Sequence, residues 1–136
     1  VSLIDEIAGA WRLLRWESQA ADGAVSLPFG DGLIGRLVFT SSCYMSAQIM
    51  LPEGRDLEPG PALVAGPQRY IAYCGRFAVD EAARTITTHV EASVSRSWVG
   101  TDQVRRVEVV GSTLRLMPPR RPSGDQAAIV WQRLDA

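Results

Sequence analysis

A chain of 136 residues, 46% hydrophobic and 21% charged, is of single-domain size and ordinary globular balance, which sets aside a disordered or fibrous protein and predicts one domain over residues 1–136. Fourteen basic residues against fifteen acidic ones leave a net charge of −1, so no whole-molecule field favours nucleic acid or an anionic membrane surface as partner. Every basic residue is arginine and neither lysine nor asparagine occurs, which removes Schiff-base lysines, phosphate-loop lysines and N-glycosylation from consideration.

Leu3, Ile4, Ile7 and Ala8 have helical spacing, and Ser2 ahead of Asp5 and Glu6 predicts a capped turn of helix. From Trp11 onward, short runs of Val, Ile, Leu, Thr and aromatics alternate with Gly, Pro, Asp and Ser, the pattern of strands and turns. Strands are predicted at 11–19, 35–40, 44–51, 72–79, 85–95, 103–110, 113–117 and 128–134. Their links include Ala21-Asp22-Gly23, Asp80 to Arg84, the hairpin turn Gly111-Ser112 and the Pro-rich Pro118 to Asp125. Two links are longer: Ser26 to Gly32, able to fold over one end of a sheet, and Pro52 to Arg69, with a helical turn expected around Ala62 to Ala65. Short strands with hairpin links predict an all-β fold, an antiparallel up-and-down barrel or a sandwich; closure is preferred because it leaves no free edges.

The apolar runs fall well short of the roughly 20 residues of a membrane-spanning helix, and the opening residues carry no basic-then-apolar leader, so a cytoplasmic protein away from membranes is expected. Cys43 and Cys74 form no CxxC motif; two reduced thiols are the first expectation and a bridge the second.

Gly9-Ala10-Trp11 before the first strand and Trp131-Gln132-Arg133 at the end of the last resemble the lipocalin signature. Neighbouring first and last strands would set an arginine on the tryptophan face, a cation–π contact worth about 0.5–2 kcal/mol. Pro28-Phe29-Gly30, Gly35-Arg36-Leu37, Tyr44-Met45-Ser46-Ala47-Gln48, Tyr73-Cys74-Gly75-Arg76-Phe77, His89-Val90-Glu91 and the run from Trp98 to Arg106 follow in order. Together they resemble the bacterial and fungal lipocalin-like domain family over nearly the whole chain. The resemblance implies an eight-stranded antiparallel calycin barrel with a short N-terminal helix. It also implies a small, partly apolar organic ligand, since many relatives are encoded beside polyketide or other natural-product pathways. Thr88-His89 stands where many relatives carry two histidines, so a histidine-pair role does not carry over.

His89 is the only histidine, and Glu91 two positions on shares its strand face, about 6 to 7 Å along it. The opposite face, Thr88, Val90, Ala92 and Val94, is the more apolar, so periodicity alone points His89 and Glu91 to solvent. Gln103 and Arg105, by contrast, share a face with Val107 and Val109, which makes Arg105 the inward arginine. A lumenal cluster of Tyr44, Gln48, His89, Glu91, Gln103 and Arg105 is the alternative a barrel permits, provided its polar groups bond to one another, to water or to a ligand.

In that cluster His89 moves a proton, Glu91 fixes its tautomer or acts as base, Arg105 holds a carboxylate or enolate oxygen and Tyr44 donates a hydrogen bond. Gln48 and Gln103 contact the ligand, and Tyr73 and Trp98 supply flat walls. The reaction class this suggests is a cofactor-independent isomerisation or cyclisation of a polyketide-like molecule, and its rival is a carrier using the same interior without chemistry. No metal and no cofactor are expected: one histidine with separated cysteines is no zinc set, and no GxGxxG or nucleophile elbow occurs. A strand-paired homodimer is compatible with the sequence.

Overall fold

The computed structural model describes residues 1–52 and 70–134; the helical turn expected around Ala62 to Ala65 lies outside them. Among the described residues a short helix, α1 (Leu3–Ile7), precedes nine strands. These are β1 (Gly9–Gln19), β2 (Val25–Ser26), β3 (Ile34–Phe39), β4 (Tyr44–Met50), β5 (Tyr70–Asp80), β6 (Thr85–Ser93), β7 (Asp102–Val110), β8 (Thr113–Met117) and β9 (Gln126–Arg133). Each long strand pairs antiparallel with the next, and β9 returns to pair with β1, closing an eight-stranded barrel to which β2 adds a two-residue edge on β1.

All eight expected strands are present, with two adjustments. The fifth of them, β6, ends at Ser93 rather than at 95, because the Ser93 hydroxyl accepts from Ser95 N at 3.0 Å and bends the chain into a 3-10 turn over Arg96–Trp98. The turn expected at Ala21-Asp22-Gly23 also returns a strand: Asp22 Oδ1 accepts from Ala24 N at 3.0 Å, and the next two residues pair with Ser18 and Gln19.

The inward faces read as alternation predicts. Leu37 and Phe39, then Met45, Ala47 and Ile49, then Ile86, Thr88 and Val90 are buried, with exposed or half-buried residues between them. Gly75 has a specific duty at the bulge between β5 and β6, where a Cβ would come within 1.9 Å of the His89 carbonyl oxygen.

One end of the barrel is plugged. Ser2 caps α1 by accepting from Asp5 N, Leu3 N donates to the Glu81 carboxylate at 2.7 Å, and Arg84 pairs with Glu6 at 2.8 Å, fixing the helix to the β5–β6 hairpin. Arg133 lies over the Trp11 ring at 4.2 Å, as the first-strand and last-strand signature anticipates, and donates to the carbonyls of Ala8, at 2.8 Å, and Glu6. The β2–β3, β6–β7 and β8–β9 connections lie at the other end. Cys43 and Cys74 are both unpaired thiols. Among the described residues, no helix is long and apolar enough to cross a membrane.

Candidate functional site

Strand parity divides the expected polar cluster in two. On β6 the buried residues are Ile86, Thr88 and Val90, which turns His89 and Glu91 to the outside; the His89 side chain is 60% exposed and its Nδ1 lies 3.0 Å from Asp102 Oδ1. On β4 the buried set Met45, Ala47 and Ile49 turns Tyr44 and Gln48 outward as well. Tyr44 accepts from Arg76 Nη2 at 2.8 Å and carries that guanidinium over its ring at 5.1 Å, while Gln48 accepts from the Tyr70 hydroxyl at 2.8 Å. Four of the six residues therefore correct the expectation of a lumenal cluster. The physical reason is that Thr88 and Val90, with the β4 aliphatics, occupy the core side of their strands. Tyr44, His89 and Glu91 line a shallow groove of about 490 Å³ on the outer wall.

Gln103 and Arg105 stay inside. They alternate with exposed Asp102, Val104 and Arg106, and face across to Thr88 and Ile86, their partners on β6. Arg105 Nη2 donates to Gln103 Oε1 at 3.3 Å and Nη1 to the Val104 carbonyl at 2.8 Å; no carboxylate among the described residues pairs with it. Tyr73, on the inward face of β5, meets Trp98 edge to face, with centroids 5.6 Å apart. Burial pushes the Tyr73 phenol above its usual range and the Arg105 charge only partly opposes this, so the phenol is a neutral donor at neutral pH.

Three residues escaped the sequence reading of the site. Thr88 is 2% exposed and opposite Gln103, and its apolar-face parity was the available signal. Phe29, from the 26–32 loop, packs edge to face on Trp16 at 5.0 Å, so that loop does cover one end of the barrel, above β1. Trp131 stands buried on β9.

The interior face thus presents a guanidinium, a phenol, an amide and a hydroxyl among aromatic and aliphatic walls, and the imidazole and carboxylates are outside. Such groups can donate hydrogen bonds to oxygen acceptors, and among the described residues no imidazole–carboxylate pair stands on the interior face. No three His, Cys, Asp or Glu side chains converge among the described residues.

A family model described as a lipocalin-like domain matches residues 8–134. The 4'-hydroxy-3'-methoxypropiophenone carrier protein ppsC of Aspergillus oryzae is 34% identical over 107 residues, a stretch covering 66% of this chain and 96% of that protein.

Proposed function

Because this chain belongs to the lipocalin-like domain family, we propose that its barrel binds a small aromatic ketone of a natural-product pathway and carries it unchanged. The observation that carries this reading is Arg105, an inward guanidinium with amide and carbonyl partners rather than a carboxylate, beside the Tyr73–Trp98 pair. A half-buried, inward cation with no carboxylate partner among the described residues favours a ligand oxygen with negative or partial negative charge, and flat walls favour an aromatic body. The name of the Aspergillus oryzae relative supplies such a molecule, a phenol with a ketone side chain.

Carriage is preferred to isomerisation or cyclisation because His89 and Glu91, the groups assigned to proton transfer, are on the outer wall together with Tyr44. Titrating the protein with 4'-hydroxy-3'-methoxypropiophenone tests the reading. Saturable binding is expected, with Tm raised by about 5 to 10 °C at a hundredfold excess over Kd and the ketone recovered intact after prolonged incubation. Absence of saturable binding overturns the ligand class, and conversion of the ketone to a product overturns carriage.

A further inference from the structure

Trp131 presents its ring to the barrel interior: its strand partners Leu13 on β1 and Leu114 on β8 both belong to the core, and it is 2% exposed. Its indole Nε1 is the one buried side-chain nitrogen or oxygen without a hydrogen-bond partner among the described residues. Trp11, equally buried one strand away, shows how the fold normally treats such a group, since its Nε1 donates to the Ile7 carbonyl at 2.9 Å. A sequestered N–H donor is costly when unmet, so a partner that meets it on binding is favoured.

The position of the donor defines that use. Trp131 sits two residues above Arg133 and hence one layer above the Trp11 plug. Through Leu114 it is in register with Val109, four residues along β7 from Arg105, a separation of roughly 13 Å by strand rise. The side chains between these levels are apolar: Val107, Leu116 and Ile129 are all in the core. Among the described residues, an apolar middle therefore separates the deep donor Trp131 Nε1 from the polar group around Arg105.

We propose that Trp131 Nε1 is the deep specificity donor of the binding site, meeting the ketone oxygen of a ligand whose other oxygen end lies toward Arg105. The assignment rests on the aromatic-ketone reading above and adds an orientation and a selection rule: a ligand without an acceptor at its deep end loses this contact.

The experiment uses two probes, 4'-hydroxy-3'-methoxypropiophenone and 2-methoxy-4-propylphenol, which has the same ring substituents and chain length without the carbonyl. In ¹⁵N-labelled protein the Trp131 indole proton, identified by its loss in Trp131→Phe, is expected to move downfield with the ketone and not with the propylphenol. The Trp11 indole, already bonded to Ile7, serves as the unmoved control. Trp131→Phe, which keeps an aromatic ring in the core, should weaken the ketone roughly threefold to tenfold and leave the propylphenol unchanged. Equal weakening of both probes, or saturation by the ketone without movement of the Trp131 proton, overturns the assignment and leaves the carrier reading standing. Failure of the wild-type protein to bind either probe overturns the carrier reading and the assignment with it.

Discussion

Among the described residues, Arg105 on the interior side of β7 has an amide oxygen and a backbone carbonyl as its partners. A guanidinium so placed can take a further acceptor, and a ligand's ionised phenolate oxygen is a better one than either protein partner. Replacing the guanidinium by the thioether of Arg105→Met keeps most of the apolar stem and removes the donors. Loss of a charge-assisted hydrogen bond then predicts roughly tenfold to hundredfold weaker binding of the ketone by calorimetry. His89→Ala, on the outer wall, should leave the affinity within about twofold; unchanged binding in Arg105→Met would remove this residue from the site. The sequence distinguished these two residues only by their neighbours. A face shared with Val107 and Val109 marked Arg105 as inward, and alternation with Thr88 and Val90 marked His89 as outward. What pulled His89, Glu91, Tyr44 and Gln48 toward the lumen was their chemistry, and side-chain chemistry does not set which way a strand faces. Trp131 escaped because its unmet donor is a property of packing, invisible until Leu13 and Leu114 are placed around it.

Strand β9 closes the barrel, and its outward residues explain how the seam is protected. Ala128 and Val130 face outward yet are buried, forming with Met117 a small apolar cluster outside the main core. Above them Arg115 of β8 reaches across β9 to Glu17 of β1 at 2.6 Å, and Arg15 meets the same carboxylate at 3.1 Å, so an ionic ladder covers the apolar seam. Desolvation pushes the Glu17 carboxyl up, but the hydrogen bonds and charges of Arg115 and Arg15 outweigh it and hold it below its ordinary value of 4.5. A carboxyl depressed in the folded state stabilises fully above its unfolded value and loses that contribution as pH falls through its folded value. Glu17→Gln should therefore lower Tm by about 2 to 5 °C at pH 7. Below about pH 4.5 the difference from wild type should shrink, and a constant difference in thermal melts from pH 7 to pH 3 would show that the ladder is not what Glu17 contributes. At this scale the sequence was informative, since all eight long strands follow from alternation and turn residues. It was silent on β2, where two residues pair because an Asp22 side chain tightens the turn. It overextended β6, where Val94 keeps the apolar rhythm but a Ser93–Ser95 hydrogen bond ends the ladder.

For the molecule as a whole, closure depends on joining the chain's first strand to its last, the most distant pairing in sequence. Trp11 and Arg133 are direct partners across that seam, and their stacking at 4.2 Å is combined with hydrogen bonds from the same guanidinium to Ala8 and Glu6, at the exit from α1. One arginine therefore connects helix, first strand and last strand, which explains why a signature of a few residues at the two chain ends can mark an entire fold. Arg133→Met retains the stem but loses the stacking and leaves two carbonyls without a donor. The combined cost is roughly 2 to 4 kcal/mol, lowering the denaturant midpoint with little change in slope. Arg133→Lys keeps the charge but not the planar fork that stacks and donates at once, so it should fall between methionine and wild type. The plug and the residues proposed to meet the ligand, Arg105, Tyr73 and Trp98, lie at different levels of the barrel. Ketone affinity measured well below the Tm should consequently be unchanged in Arg133→Met. A variant that is as stable as wild type, or one that stays folded yet loses the ligand, would contradict a plug that acts only to hold the barrel closed.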